Sequence, residues 1–447
     1  PPPPLESYLN IDKIIAIAKE TGAEAIHPGY GFLAENAEFV RRCEKEGIIF
    51  IGPNSKAMAL VGDKLRSRQT MAAANIPIIP GMRQKVDKFE QLQIEAEKIG
   101  YPVLLKASAG GGGKGMRIVH SSDDLKDAME AGMREAKSAF GDESIYLEKF
   151  IEQPRHVEFQ VLADLHGNIV HLFERECSIQ RRHQKIIEES PSVVLGDELR
   201  TTMGETAKRV IKESGYTNAG TVEFLLDKNK NFYFLEVNAR IQVEHPVTEF
   251  VTGIDLVKQQ IRIASGEPLP FRQEDLKQQG HAIECRIYAE DPENDFLPSL
   301  GTIYFVQEPT GPWIRNDSGI YSGIEVSMFY DPILAKLIVW GENRQDACRR
   351  MSMTLKNYII LGIKTQIPFL KTVIENPEFI RGNTTTEFLQ KYFSDWKITK
   401  DEQNEIPIVL AAAAIYELEN SKNQIQIEKR IVSSPWNKIG QWEMLMS

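Results

Sequence analysis

The sequence predicts a protein of mixed α/β and α+β class, divided into several domains. Helical periodicity alternates with short strand-like runs in the first part of the chain. A run of four glycines then joins one predicted strand to another, and strand signals follow in quick succession after residue 280. With 447 residues and 42% hydrophobic content, the chain can bury a large core and form roughly two to four domains.

Residues 1–62 are predicted to form an α/β segment. Helical periodicity over Ile11–Thr21 leads into a strand at 23–26 and a glycine-punctuated loop, and a second helix precedes a strand at 48–52. Alternation of helices and strands is typical of an α/β unit.

Residues 63–280 are predicted to form an α+β domain, in which a helix begins at Asp63. Strand-like segments lie around residues 101–106, 116–120, 145–150 and 156–162. They alternate with helical segments, which predicts a small sheet-based subdomain at about 79–152.

A third, β-rich domain is predicted for residues 281–397. Its strand signals lie at 281–289, 301–306 and 333–340, and a helix follows at 344–358. Residues 398–447 are expected to be a linker and the start of a further domain, with a helix at 407–418 and a strand-like run at 424–432.

Composition excludes several classes of function. The net charge of −10 disfavours nonspecific nucleic-acid binding. No apolar run approaches the ~20 residues that cross a bilayer, so no membrane partner is expected. The four cysteines lack metal-ligand spacing and indicate a reducing compartment. The chain has no initiator methionine and no targeting stretch, so we expect it to be cut from a longer protein.

The segment Leu235–Thr248, L-E-V-N-A-R-I-Q-V-E-H-P-V-T, is the most informative in the chain. Side chains alternate along a strand, so a single strand would place five polar side chains on one face. These five are Glu236, Asn238, Arg240, Gln242 and Glu244. Such a face suits a cation together with a small anion, although a solvated polar face has the same pattern.

A hairpin is predicted to bring a second acid to this strand. Two β-rich runs, 221–227 and 232–236, are separated by a polar turn. A four-residue loop at 228–231 would set Glu223 directly opposite Glu236. Facing carboxylates about 5 Å apart repel unless a cation bridges them, and Mg²⁺ prefers such oxygen ligands. Two acids splayed into water are the alternative, which requires the register to slip.

The glycine run lies in K-A-S-A-G-G-G-G-K-G-M-R, residues 106–117. Consecutive glycines can bend backbone amides around phosphate oxygens, and Lys106 and Lys114 flank them. The run leads into a strand, so it matches neither a Walker A loop nor a Rossmann fingerprint. A flexible linker is the alternative.

Two further polar segments are candidates for binding. His156, Glu158 and Gln160 share one face of a predicted strand, although a lone histidine is more often structural. Q-R-R-H-Q-K, residues 180–185, is a basic cluster short enough for a phosphate-sized anion, or else a solvated charge cluster.

In this order, the glycine-rich segment, E-K-F-I at 148–151, Q-R-R-H-Q-K and E-x-N-x-R-x-Q-x-E-H resemble biotin carboxylase of the ATP-grasp superfamily. H-P-G-Y-G-F-L-A-E-N and R-I-Q-V-E-H-P-V-T-E separate that family from other ATP-grasp ligases. The resemblance covers about Ser7 to Lys397. It implies an ATP-grasp fold with a truncated N-terminal α/β domain, a glycine-rich lid and a C-terminal β-rich domain.

The resemblance also implies roles for individual residues. Those that would surround ATP are Lys64, Lys106, Gly111, Gly112, Gly113, Met116, Glu148, Lys149, Ile151, His156, Gln180, His183, Leu225 and Thr386. Mg²⁺ or Mn²⁺ would lie on Glu223, Glu236 and Asn238, and bicarbonate on Lys185, Arg240, Gln242, Val243 and Glu244. Arg286 would face the biotin ring, with Tyr30 at its edge.

The implied reaction is ATP- and bicarbonate-dependent carboxylation of a biotin ureido nitrogen through carboxyphosphate. Glu244 would be the general base, and Arg286 would stabilise the biotin enolate. The chain has neither the R-G-E-I-A motif with which the family begins nor an A-M-K-M biotinylation motif. Biotin would therefore come from a carrier domain outside this segment.

S-P-W-N-K-I-G-Q-W-E, residues 434–443, resembles the start of the linking domain in α subunits of propionyl-CoA and 3-methylcrotonyl-CoA carboxylases. This implies two partners, a biotin carboxyl carrier domain in the same full-length chain and a carboxyltransferase β subunit. A homodimer or larger α/β oligomer is expected. The expected location is the cytoplasm, or the mitochondrial matrix in a eukaryote.

Three alternatives remain. One is a pyruvate or acetyl-CoA carboxylase context, and another is an ATP-grasp ligase that joins a carboxylate to an amine. Neither Arg286 nor the H-P-G-Y-G loop is needed for such a ligase. The third is a nucleotide-binding scaffold without catalysis, but such proteins usually lose the base or a metal ligand, and all are present here.

Overall fold

A computed structural model describes residues 3–82, 88–107, 116–141, 143–182, 184–398 and 415–416. The chain divides into two compact units, Pro1–Asp395 and Trp396–Ser447. The first unit contains all the elements described below, and the helix and strand expected at 407–418 and 424–432 lie almost wholly outside the described residues.

The N-terminal segment has the predicted α/β order. It consists of α1 (Ile11–Thr21), β1 (Ala25–Ile26), α2 (Ala37–Glu46), β2 (Ile49–Phe50) and α3 (Ser55–Gly62), and β1 pairs with β2 in parallel. An asparagine side chain caps the start of all three helices by accepting from a backbone N–H of the first turn. These caps explain why each helix begins directly after an asparagine.

Helix α4 (Lys64–Ala73) follows, and its Met71 packs into the core beneath the large sheet. The next elements form a small three-stranded subdomain. They are α5 (Phe89–Ile99), β3 (Val103–Ala107), β4 (Arg117–Val119), α6 (Leu125–Phe140) and β5 (Ile145–Lys149). The sheet order is β4-β3-β5, antiparallel throughout, and α5 and α6 pack an apolar core against it. The glycine run thus connects two paired strands, as predicted, and itself lies outside the described residues.

A large antiparallel sheet carries the rest of the fold. Its first part comprises β6 (Arg155–Ala163), β7 (Ile169–Arg181), β8 (Gln184–Ser190), α7 (Asp197–Ser214), β9 (Asn218–Leu226), β10 (Phe232–Asn238), α8 (His245–Thr252), α9 (Leu256–Ala264) and β11 (His281–Tyr288). Helix α7 buries its apolar face against the apolar side of β6, formed by Val157, Phe159 and Val161. The opposite, polar side of β6 is therefore free to form a site.

The C-terminal part adds short strands and helices. They are β12 (Glu290–Asp291), β13 (Leu297–Pro298), β14 (Gly301–Thr302), β15 (Phe305–Gln307), β16 (Ile314–Ser318), β17 (Glu325–Val326), β18 (Ile333–Gly341), α10 (Arg344–Lys356), β19 (Ile359–Leu361), α11 (Ile367–Glu375), α12 (Pro377–Ile380) and α13 (Phe388–Phe393). In the part of the chain that the structure describes, 3₁₀ turns lie at Pro4–Glu6, Gln273–Asp275 and Pro292–Asn294.

The large sheet has eight strands in the order β10-β9-β6-β7-β8-β11-β18-β16. Ala282 of β11 lies opposite Ser190 of β8, so hydrogen bonding continues across residue 280, where the sequence suggests a domain boundary. The domain limits therefore stay predictions. Among the described residues, no helix is both long and apolar enough to span a membrane.

The prediction of one strand over Leu235–Thr248 is wrong beyond Asn238. Strand β10 lies at the edge of the sheet and ends at Asn238, after which a loop leads into α8. The carboxylate of Glu35 accepts the backbone N–H of Ala239 at 2.9 Å, which takes that amide out of the sheet. Pro246 then lies in the first turn of α8, a position that proline favours.

The hairpin of β9 and β10 confirms that Glu223 lies opposite Glu236, but by a different route from the one predicted. The connection is five residues long, Asp227–Asn231, and the register shifts between Phe234 and Glu236. This shift of one residue compensates for the extra residue in the loop. Glu223 and Glu236 are therefore register partners, as the sequence predicts.

Candidate active site

Lys185 of β8 lies at the centre of a buried polar cluster on the large sheet. Its Nζ donates to Glu223 Oε1 at 2.7 Å, to Glu244 Oε1 at 2.8 Å, and to Glu158 Oε2. Burial alone would lower the pKa of Lys185, but the three carboxylates raise it well above its ordinary value. Lys185 is therefore an ammonium ion that holds three acids together.

Glu244 precedes α8, and both of its carboxylate oxygens contact cations. Oε1 accepts from Lys185, and Oε2 accepts from Arg286 Nη2 at 3.0 Å. Burial favours the neutral acid, but these cations lower the pKa of Glu244 to about 2. Glu244 is thus ionised at neutral pH, with its carboxylate held between Lys185 and Arg286.

A fully buried guanidinium lies beneath this cluster. Arg175 of β7 donates through Nε to Glu158 at 2.6 Å and through Nη2 to Gln242 at 2.6 Å. Its remaining bonds go to Gln160, Thr248 and Thr221. The five bonds use the full donor capacity of a guanidinium, so Arg175 fixes the positions of Glu158 and Gln242.

The two facing acids of the hairpin present oxygen ligands. Glu223 Oε1 accepts from Asn238 Nδ2 at 2.8 Å and from Gln242 Nε2 at 3.1 Å as well as from Lys185. Lys64 Nζ lies 3.3 Å from Glu236 Oε2. A lysine ammonium therefore contacts each of the two acids where a cation is expected. The oxygen donors fit Mg²⁺, which prefers hard ligands.

His156 lies beside the same acids. Its Nε2 is 3.2 Å from Glu223 Oε2, and one ligand atom from each of His156, Glu158 and Glu223 lies within 4.8 Å of the others. Burial alone would lower the pKa of His156, but the neighbouring carboxylates raise it to about 9. A protonated imidazole has no lone pair for a metal, so His156 serves as a positive neighbour of Glu223.

A second group of charges joins α4 to the three-stranded subdomain. Glu148 of β5 is buried, and its Oε2 accepts from Lys106 Nζ of β3 at 2.5 Å while Oε1 accepts from Arg68. Burial raises the pKa of Glu148, but Lys106 and Arg68 lower it below its ordinary value. The carboxylate thereby fixes the position of Lys106. Lys149 donates to the backbone carbonyls of Gly100 and Tyr101 at 2.8 and 3.0 Å.

Most of the other residues expected around ATP lie near the ends of strands, and Thr386 lies before α13. Met116 precedes β4 and Ile151 follows β5. Leu225 pairs with His156 across β9 and β6, Gln180 Nε2 donates to the carbonyl of Cys177, and the N–H of Thr386 donates to the carbonyl of Pro154. Gly111, Gly112, Gly113 and His183 lie outside the described residues.

Arg240 differs from the sequence prediction in its contacts. The prediction places it on a strand face with Glu244, but the strand ends before it. Its Nη2 donates to Asn238 Oδ1 at 3.1 Å, and its Nε lies 3.1 Å from Glu35 Oε2. Arg240 therefore connects the loop after β10 to the N-terminal segment.

The remaining predicted residues lie at the edge of the cluster. The carbonyl of Val243 accepts from Lys336 Nζ at 2.8 Å, and that ammonium lies 5.5 Å from the centre of the half-exposed Tyr30 ring. Arg286 of β11 donates through Nε to Glu188 Oε1 at 2.6 Å. The structure thus joins Arg286 to Glu244 and places Val243 near Tyr30.

Sequence reasoning misses several residues of the cluster. Arg175, Glu188, Lys336 and Arg68 are absent from the prediction, and Glu158 enters it only as a residue that shares a face with His156. Each has at least one partner on an element that is distant in sequence. The alternation of polar residues in β7 and β8 is the available signal, but it does not say which acids meet which cations.

Models of known protein families match almost the whole described chain. Residues 1–58 match the biotin carboxylase N-terminal domain, 63–272 the carbamoyl-phosphate synthase L chain ATP-binding domain, and 284–391 the biotin carboxylase C-terminal domain. A pyruvate carboxylase subunit of Methanothermobacter thermautotrophicus is 54% identical over 88% of this chain and 79% of that protein. The mitochondrial propionyl-CoA carboxylase α chain of Sus scrofa is 46% identical over 99% of this chain, which spans 62% of its length.

A solved structure has the same fold. It is the biotin carboxylase domain dimer of Hydrogenobacter thermophilus 2-oxoglutarate carboxylase, in complex with MgADP, ADP and bicarbonate. That protein is 49% identical, with a TM-score of 0.85, and the match covers 88% of this chain and 87% of that chain.

Proposed function

This chain belongs to the biotin carboxylase family, as its motifs predict, and from that premise we propose how its own residues carry out the reaction. The reaction is the ATP- and bicarbonate-dependent carboxylation of biotin. The observation that carries the assignment of roles is the ionised Glu244 carboxylate, held between Lys185 and Arg286.

Glu244 is the general base for bicarbonate. Its pKa of about 2 keeps it ionised, and its two oxygens are fixed by cations on either side. Bicarbonate binds beside it, attracted by Lys185 and Arg240 and hydrogen-bonded by Gln242 and the Val243 backbone. Proton transfer to Glu244 makes a bicarbonate oxygen nucleophilic.

The activated oxygen attacks the γ-phosphorus of ATP. A bond forms from that oxygen to the γ-phosphorus, and the bond from the γ-phosphorus to the bridging oxygen of ADP breaks. The products are carboxyphosphate and ADP. Lys106, fixed by Glu148, and Lys64, close to Glu236, contribute positive charge where phosphate oxygens become more negative.

Glu223, Glu236 and Asn238 would hold magnesium or manganese. The metal supplies charge neutralisation for the phosphate oxygens when bound. Lys185 donates to Glu223, and Lys64 lies 3.3 Å from Glu236. These two ammonium groups place positive charge beside the acids that would hold the metal.

Arg286 acts in the second step. Carboxyphosphate breaks down to carbon dioxide and phosphate, and the phosphate removes the proton of the biotin ureido nitrogen. Arg286 stabilises the resulting enolate oxygen, with Tyr30 at the edge of the ring. The ureido nitrogen then bonds to carbon dioxide, and the Arg286 guanidinium is oriented for this step by Glu188 and Glu244.

The whole protein is an acyl-CoA carboxylase α subunit, whose partners are a carrier domain in the same full-length chain and a carboxyltransferase β subunit. The match to the propionyl-CoA carboxylase α chain extends over 99% of this chain, whereas the match to the pyruvate carboxylase subunit covers 88%. The longer match favours the acyl-CoA carboxylase context over the pyruvate carboxylase alternative. An oligomeric assembly follows from the same proposal, in the cytoplasm or the mitochondrial matrix.

ADP release by the intact protein, with Mg²⁺ and ATP, tests the assignment. Bicarbonate and free biotin are added singly and together, with the wild type and with Glu244→Gln. The wild type is expected to depend on both, and the variant to lose activity by roughly 10²- to 10⁴-fold, as for a general base. ATP turnover that does not depend on biotin, or that is retained in the variant, would favour a different ATP-grasp ligase.

A further inference from the structure

Two buried acids lie behind Arg286. Glu188 of β8 and Glu284 of β11 are register partners in the large sheet, and both are fully buried. Directly opposed side chains in an antiparallel sheet point to the same face, with Cβ atoms about 5 Å apart. The two carboxyl groups therefore face each other away from solvent.

Within the described part of the chain, only Glu188 of this pair has a cation as its direct partner. Its Oε1 accepts from Arg286 Nε at 2.6 Å. Glu188 Oε2 and both carboxyl oxygens of Glu284 are buried and have no hydrogen-bond partner among the described residues. A buried carboxylate without donors is strongly disfavoured, and two adjacent carboxylates cannot both ionise readily. Of the two acids, Glu284 is therefore the one whose carboxyl group is neutral.

The surrounding charges agree with this assignment. Glu284 faces Lys336 on β18, Arg286 on its own strand, Glu188 on β8 and Glu244 before α8. Lys336 already donates to the Val243 carbonyl and lies 3.4 Å from Asp317. Burial, with the nearby acids, raises the pKa of Glu284 well above its ordinary value, and burial raises that of Glu188 to about 7 despite Arg286.

We propose that Glu284 carries a proton in the resting enzyme and that its neighbour Glu188 is a positioning residue, which orients the Arg286 guanidinium for the biotin step. This inference rests on the proposed function, in which Arg286 stabilises the enolate. Above pH 7, where Glu188 is mostly ionised, Glu188 and Glu244 already flank the guanidinium with negative charge. A third charge at Glu284 would weaken its attraction for an anionic oxygen, so a neutral Glu284 preserves that attraction.

Infrared difference spectroscopy tests the proton directly. Glu284→Gln keeps the shape of the side chain and is permanently neutral. The spectrum of the wild type minus that of the variant, at neutral pH, is expected to contain the C=O stretch of a protonated carboxylic acid, which shifts in D₂O. A difference spectrum without that band would overturn the proposal. If Glu284→Gln does not fold, Glu284→Met replaces it in the same measurement.

Kinetics test the positioning role. Glu188→Ala is expected to lower kcat for biotin carboxylation by roughly tenfold or more, with the KM for ATP unchanged, because it removes a charged hydrogen bond to Arg286. Glu188→Gln retains an acceptor oxygen and the volume, and should recover most of the rate. Glu284→Gln should stay within about twofold of the wild type, since no charge is lost.

The outcomes separate this inference from the proposed function. If wild-type ATP cleavage does not depend on biotin, the proposed function fails first. If the wild type carboxylates biotin but a folded Glu284→Gln loses activity as severely as Glu188→Ala, the proposed function stands and the neutral Glu284 is wrong. A Glu188→Ala variant with unchanged kcat would remove the positioning role.

Discussion

Lys185 shows how single residues determine the properties of this site. One ammonium group contacts Glu158, Glu223 and Glu244, which come from two strands and the segment before α8. Three buried acids around one cation would repel each other without it. The same contact keeps Glu244 ionised, so the stability of the cluster and the state of the proposed base depend on the same side chain.

Lys185→Met should therefore destabilise the protein. Removing one partner of a buried charge cluster leaves uncompensated charge and typically costs about 3–5 kcal/mol. We expect a loss of that size in the free energy of unfolding, measured by urea titration at neutral pH. Lys208→Met is the matched control, because Lys208 bonds the exposed Glu205 and should contribute less than about 1 kcal/mol. Equal effects of the two substitutions would contradict the role of Lys185.

At the scale of elements, the hairpin of β9 and β10 determines the geometry of the proposed metal site. It brings Glu223 and Glu236 face to face, and Asn238 follows two residues later on β10. The register depends on the irregularity between Phe234 and Glu236. A shift of one residue would turn these side chains to the other face of the sheet.

Glu236→Gln should selectively weaken the affinity for Mg²⁺. The variant replaces a charged oxygen ligand by a neutral one, so the Mg²⁺ concentration for half-maximal ATP cleavage should rise roughly tenfold or more. Titration of Mg²⁺ at saturating ATP measures this. Glu249→Gln serves as the control, because Glu249 lies on α8, bonds Arg315 and is not a proposed metal ligand. Unchanged Mg²⁺ dependence in Glu236→Gln would remove this acid from the metal site.

The sequence predicts elements better than it predicts the contacts between them. Ile11–Thr21 is a helix as expected, because its cap residue and periodicity are local signals. The predicted strand over Leu235–Thr248 fails because Glu35, some 200 residues earlier, accepts the backbone N–H of Ala239. Likewise Arg175 meets Gln242 only through sheet order, a long-range property that alternation of side chains does not specify.

Over the whole molecule, buried ion pairs join the large sheet to the helices that follow it. Arg344 of α10 donates to both carboxylate oxygens of Glu189 on β8, at 2.6 and 3.1 Å. His281 at the start of β11 contacts the same carboxylate at 2.7 Å. Burial opposes ionisation, but Arg344 and His281 lower the pKa of Glu189 from 4.5 to about 2.

This carboxylate should make stability depend on pH in the acid range. A lowered pKa stabilises the folded state above the unfolded value of 4.5, and that contribution, about 3 kcal/mol, is lost as pH falls towards 2. Glu189→Gln should be less stable than the wild type at neutral pH, with a difference that shrinks below pH 4.5. Urea unfolding at a series of pH values measures it. A difference independent of pH would contradict the assignment.

The transfer of oxygen from bicarbonate to phosphate tests the central claim most directly. In the proposed reaction, the oxygen activated by Glu244 bonds to the γ-phosphorus and remains there when carboxyphosphate breaks down. With heavy-oxygen-labelled bicarbonate, mass spectrometry should find one labelled oxygen in the phosphate released by the wild type, formed in step with biotin carboxylation. Phosphate without label, released at the same rate, would show that water attacks ATP and would contradict the account.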